Sequence, residues 1–87
     1  MKIIHLDFSR ATTAEELQDE LAAAFSFPAW YGRNLDALHD MLTEITADTR
    51  IEYTGLAQSP ARDAARRVLR VIRDAAEENE HLRLSRL

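Results

Sequence analysis

The chain has 87 residues and no cysteine, and its 15 acidic residues outnumber its 11 Lys and Arg to give a formal charge of −4. A domain this size buries only about 60% of its unfolded surface, which excludes a deep enclosed active site, and the missing thiols exclude a disulfide framework and thiolate metal sites. The acidic balance argues against a general nucleic-acid binder, and no stretch approaches the ~20 apolar residues of a membrane span.

Lys2 to Phe8 reads as a first strand: Ile3, Ile4, Leu6 and Phe8 are apolar, and Gly and Pro are absent. This apolar run is shorter than the roughly 7–15 residues of a secretory signal core, so a cytoplasmic location is expected. Thr13 and Glu16 have capping-box spacing and open a helix with Ala14, Leu17, Leu21, Ala24 and Phe25 on its apolar face. Ser26 to Arg33 is a loop. Pro28 disfavours helix at Phe27, and Gly32 supplies backbone freedom. Asn34 is the expected N-cap of a second helix over about 35–46.

Thr49 to Thr54 alternates and is rich in β-formers, as a second strand would be. Ser59-Pro60 has the pattern of an N-cap followed by Pro at the first helical position. From there Ala61, Ala64, Ala65, Val68, Leu69, Ile72, Ala75 and Ala76 trace one helical face to about Glu78. His81 to Leu87 alternates again and reads as a short last strand. The order β–α–α–β–α–β predicts a single α/β domain over residues 1–87, a small three-stranded, mostly parallel sheet packed with three to four helices. Sheet order does not follow from this pattern.

The second helix stands apart chemically. Between Asn34 and Asp48 lie Asp36, Asp40, Glu44 and Asp48 and no Lys or Arg, while Leu35, Leu38, Leu42 and Ile45 recur at steps of three and four. Such a helix buries one stripe and shows an anionic ridge beside it. Cations gather elsewhere, at Arg62, Arg66, Arg67, Arg70 and Arg73, so the molecule is electrically polarised.

The stretch Pro28-Ala-Trp-Tyr-Gly-Arg-Asn-Leu-Asp-Ala-Leu-His-Asp-Met-Leu-Thr43 resembles the barstar family, intracellular inhibitors of secreted ribonucleases. Pro28, Tyr31, Gly32, Asn34, Leu35, Asp36, Ala37, Leu38, Asp40, Leu42 and Thr43 match the family motif. Val68 to Ala75 looks like the family's last helix, and the segment before it is short, so a small helix expected around Leu56–Ser59 is reduced.

The resemblance implies a non-catalytic immunity protein that plugs the active site of a small basic ribonuclease, one to one, without cofactor or metal. The free protein would be a monomer with no direct affinity for nucleic acid or membrane. The implied partner-binding residues are Trp30, Asn34, Asp36, His39, Asp40, Thr43 and Asp74. Asp40 would be the main anion against the enzyme's Arg/Lys cluster, with Asp36 and Thr43 beside it. Trp30 would pack on the enzyme's catalytic histidine, Asn34 would be a loop contact and Asp74 a peripheral acid. Two positions depart from the family: His39 replaces a large aromatic, and Arg33 stands where the best-known member has an acid. Both reduce the negative charge and point to a target other than barnase.

Plainer readings stand beside these. An acidic helix face is commonly only a solvated one, and Asp74 has Arg70 four residues before it as a pairing partner. Of Trp30 and Tyr31, one is expected in the core and Trp30 outside. Asp36 and Asp40 flank His39 and would favour its charged form, though a solvent-exposed rim histidine fits equally. The same three residues make a weak metal or acid–base constellation, having no second cluster. Two other functions remain open: a scaffold retargeted to a non-ribonuclease partner, and a small hydrolase or nucleic-acid binder built on the Arg62–Arg73 ridge.

Overall fold

The computed structural model describes residues 1–87. Its elements are β1 (Lys2–Asp7), α1 (Ala14–Phe25), α2 (Leu35–Thr43), β2 (Thr49–Thr54), α3 (Arg62–Glu78) and β3 (Leu82–Arg86). The strands form one sheet in the order β1-β2-β3, parallel throughout, with three helices as its cover. Both crossovers step the same way along the sheet, and right-handed connections of that kind lay their helices on one face.

Burial follows that geometry. Ile4, Ile51 and Leu84 form one row across the sheet and Leu6, Tyr53 and Arg86 the next, on the covered side, with Arg86 exposed at the end of its strand. Rows Ile3–Arg50–Arg83 and His5–Glu52–Ser85 lie on the other side. A parallel sheet usually needs cover on both faces; here the open one is charged instead, with Glu52 3.5 Å from His5 and 3.8 Å from Arg50. Phe8, Leu21, Leu38, Leu42, Ile51 and Ile72 are the largest fully buried side chains. No helix is long and apolar enough to cross a membrane.

Several boundaries differ from the sequence reading. Ser59 does not cap α3: its hydroxyl accepts from Ala61 N at 3.2 Å within a turn, and the helix starts at Arg62. Residues Leu56–Ser59 form a turn closed by Ser59 N to Leu56 O, with no small helix. Gly32 is not a left-handed residue of the loop between α1 and α2; Ser26 and Arg33 are, the latter at φ 53°. What Gly32 contributes is space, since a Cβ there would lie 3.2 Å from the Asn34 amide and 3.3 Å from Ala37 Cβ.

The largest difference is the end of α2, at Thr43 rather than near residue 46. Its terminal carbonyls find a donor outside the helix. Asn79, buried at the end of α3, gives its side-chain N–H groups to Leu42 O at 3.0 Å and Ile45 O at 2.9 Å, and its Oδ1 accepts from His81 N at 2.9 Å. One amide thus closes α2, ends α3 and starts the approach to β3. Replacing Asn79 by Ala strands buried carbonyls and is expected to lower unfolding stability by on the order of 2–3 kcal/mol. Asn79→Asp, which cannot donate and sets a carboxylate against carbonyl oxygens, should lose more. Urea unfolding measures both; values within ~0.5 kcal/mol of the parent, ordinary for a surface change, would refute the clamp.

Candidate functional site

The loop before α2 is pinned from inside by aromatic rings. Ser26, left-handed at φ 56°, ends α1 and turns the chain back. Phe27 then stacks on Phe25 at 5.1 Å and meets Tyr31 at 4.6 Å between ring centroids. Tyr31 is buried, and its hydroxyl donates to Gln18 Oε1 of α1 at 2.5 Å. Burial pushes its pKa up to about 12. Tyr31 N also donates to Pro28 O at 3.0 Å, closing a turn with Trp30 inside it. Trp30 is 75% exposed, the outward member of the pair as its neighbour goes in.

Asn34 starts α2 as expected. Its Oδ1 accepts from Ala37 N at 2.8 Å and its Nδ2 donates to Gly32 O at 3.2 Å. The same amide cannot give all its hydrogen-bonding capacity to a partner, so its role at the surface is bounded by its role as a cap. Leu38 and Leu42 are fully buried and fix the rotation of the helix. That rotation leaves Asp36 and Asp40 exposed on one stripe, with Glu44 continuing it and Thr43 partly exposed alongside. The Thr43 hydroxyl donates to Asp40 O at 3.1 Å.

His39 faces a different neighbour from the one the sequence suggests. Its Nε2 lies 2.7 Å from Glu78 Oε2, across on α3, rather than pairing with the acids of its own helix. Asp74 is one turn before Glu78 on the same side of α3, and it makes no ion pair with Arg70. Arg33 pairs with Asp19 of α1, so its charge is partly offset within the fold. Asp36, His39 and Asp40 do not form a metal-holding group. The sequence reading gives Glu78 only as the end of a helix, and it contains neither Asn79 nor the Tyr31–Gln18 bond. The only signal for Glu78 was its four-residue spacing from Asp74.

The whole face therefore comprises Asp36 and Asp40 on α2, Glu44 at its C-cap, and Asp74 and Glu78 on α3, with His39 between the two helices and Trp30 exposed in the loop. Neither Asp36 nor Asp40 has a cation within pairing distance. Asp48, just past the helix, is held below the usual carboxylate range by its hydrogen bond to His81 at 2.9 Å. A rigid surface of this sign can meet guanidinium or ammonium groups directly, without first breaking internal ion pairs at its two central acids.

The family model described as Barstar (barnase inhibitor) matches residues 1–85. Comparison with curated proteins returns no match.

Tyr31 gives the loop a measurable signature. An unfolded tyrosine ionises near its ordinary value of 10, whereas the folded phenol keeps its proton to about 12. Between those values the unfolded state binds fewer protons, so stability falls as pH rises, by up to about 1.4 kcal/mol per pH unit. Tyr31→Phe should lose about 1 kcal/mol near neutral pH through the orphaned Gln18 oxygen and show a shallower alkaline decline. Denaturant unfolding across the alkaline range tests this; identical slopes for the two proteins would exclude the buried phenol.

Proposed function

The chain belongs to the barstar family, and from that premise we propose that it inhibits a small basic ribonuclease, one to one, by filling the enzyme's active site with the Trp30–Thr43 loop and helix. The observation that carries this reading is the exposed pair Asp36 and Asp40, side by side on α2 and free of internal cations. A ribonuclease binds a polyanion, so its cleft must present positive charge. Carboxylates on a fixed helix can stand where substrate phosphates stand, and no bond need be made or broken.

Each residue then has a defined part. Asp40 meets the cationic cluster at the centre, with Asp36 and Thr43 beside it. Trp30 offers an exposed ring for stacking against an aromatic or imidazole side chain. Asn34 holds the helix start and contributes from its remaining amide proton. His39 and Asp74 lie at the rim, where His39 is oriented by Glu78. The acidic field steers encounter, while the central contacts govern dissociation.

A second reading is favoured by the His39–Glu78 pair. A large aromatic at position 39 would add apolar contact area, whereas a paired imidazole offers a polar rim. That change suits a scaffold retargeted to a cationic partner that is not a ribonuclease. Titrating the protein into several small secreted guanyl-specific ribonucleases, with RNA cleavage as readout, separates the two. Inhibition of at least one supports the first reading, and inhibition of none supports the second.

With an inhibited enzyme in hand, Asp40→Ala should weaken binding by on the order of 2–5 kcal/mol. That range derives partly from the barnase–barstar pair itself, so it is taken from the family rather than deduced from this chain. Glu15→Ala, on the exposed start of α1, should change binding by less than ~0.5 kcal/mol. Added salt should slow association more than it speeds dissociation. Equal small losses for the two variants in a binding titration would remove Asp40 from the centre of the interface.

A further inference from the structure

A second charged feature lies on another flank of α3, at the carboxyl ends of β2 and β3. A cavity of about 300 Å³ opens there between the β2–α3 turn, the start of α3 and the end of β3. Arg62 and Arg66 of α3 line it from one side and Arg86 of β3 from another, with Tyr53, Leu56 and Leu87 as its less polar walls. None of the three arginines is within 4.0 Å of an acidic oxygen in an ion pair. In a chain with more acids than bases, three unpaired guanidinium groups facing one concavity are not explained by internal charge balance.

Arg86 carries the point further. In β3 it shares the helix-covered side with Leu82 and Leu84, and it sits in the row of Leu6 and Tyr53. An apolar residue would continue that pattern. Arg86 instead ends the strand exposed, and its side chain lines the cavity. Asp7, at the end of β1, is not among the residues lining the cavity and forms no ion pair with its arginines. Its carboxylate accepts from Ser9 N at 3.0 Å and from the Ser9 hydroxyl at 2.6 Å, and these bonds hold its pKa below the usual value. The Gly55 turn, at φ 77°, packs against that same Asp7–Ser9 corner and fixes the cavity wall. The first turn of α3 has no side-chain cap, and its one acid, Asp63, is not among the residues lining the cavity.

The geometry points to a binding site for the phosphate group of a small phosphate ester, of nucleoside-monophosphate size, held by Arg62, Arg66 and Arg86. Planar guanidinium groups bind phosphate oxygens in pairs. The volume lies at the lower end for a small-molecule pocket, and the Tyr53, Leu56 and Leu87 walls suit an organic body better than a bare ion. Arg62 and Arg66 are roughly a quarter to half a turn around α3 from Asp74 and Glu78, so this site is separate from the acidic face and does not depend on its reading.

Calorimetric titration at low ionic strength with adenosine and guanosine 5′-monophosphates, adenosine, inorganic phosphate and a short single-stranded RNA tests the assignment. Binding of a monophosphate, with inorganic phosphate competing and adenosine silent, is expected. Arg86→Gln and Arg62→Gln should each weaken it about tenfold or more, while Arg73→Gln, on α3 outside the cavity, stays within about twofold. Circular dichroism melting checks that each variant is folded, and the exposed Arg62 serves if Arg86→Gln does not fold. The site is overturned by no monophosphate binding at millimolar concentration, by equal losses for Arg73→Gln and Arg86→Gln, or by RNA binding without mononucleotide binding.

Discussion

Nine residues are too few for α2 to persist by itself, because helices shorter than about 12–15 residues are marginal in water. Its two exposed acids, Asp36 and Asp40, stand four residues apart and add mutual repulsion. The helix exists because the rest of the fold holds it at both ends and along one side. Asn34 supplies the hydrogen-bond acceptor at its start, and Asn79, forty-five positions later, supplies donors at its end. Leu38 and Leu42, buried beneath it, set its rotation. The acidic face thus depends on a buried side-chain amide that bears no charge and lies outside that face.

This arrangement suits recognition by complementary charge. A flexible acidic segment would have to be ordered as it bound, at an entropic cost to affinity. Here that cost is met during folding. The exposed ring of Trp30 benefits similarly, because the turn beneath it is anchored through Tyr31 to Gln18 on α1. The two side chains that depart from the acidic pattern of the face are each engaged inside the fold, Arg33 by Asp19 and the His39 imidazole by Glu78. Being largely exposed, these pairs add little stability. Their consequence is local: they fix where the side chains lie and leave Asp36 and Asp40 without competing cations.

Much of this was legible in the sequence wherever the determinant is local. Thr49–Thr54 is a strand in both the reading and the structure, and Thr13 caps α1 by accepting from Glu16 N at 3.1 Å. Asn34 likewise fulfils a local rule. The reading failed where a distant group overrode one. The apolar spacing of Leu38, Leu42 and Ile45 carries the helical pattern past Thr43, but the Asn79 amide takes up the carbonyls there and the chain turns away. Ser59-Pro60 looks like a helix start, yet its serine is used inside a turn. The direction of His39 could not be read at all, because it is set by the alignment of α2 with α3 and not by spacing within α2.

The same alignment accounts for the charge order of α3, which, Asp63 in the first turn apart, runs against the helix dipole, with arginines from Arg62 to Arg73 and acids from Asp74 to its end. Dipole compensation would place them the other way round. The structure replaces that preference with two external ones. The arginine end of α3 lies over the carboxyl ends of β2 and β3, where Arg86 adds a like charge. The acidic end runs beside α2, where Glu78 reaches His39 and Asp74 continues the anionic surface. Each half of the helix is charged to match the surface it borders, at an intrinsic penalty of about 0.3–1 kcal/mol per misplaced charge. A helix serving only to cover the sheet would need no such ordering, since its buried face, Ala65, Val68, Leu69, Ile72 and Ala75, carries none of these charges. The reversed charge order is thus the trace left in one element by two surfaces of opposite sign.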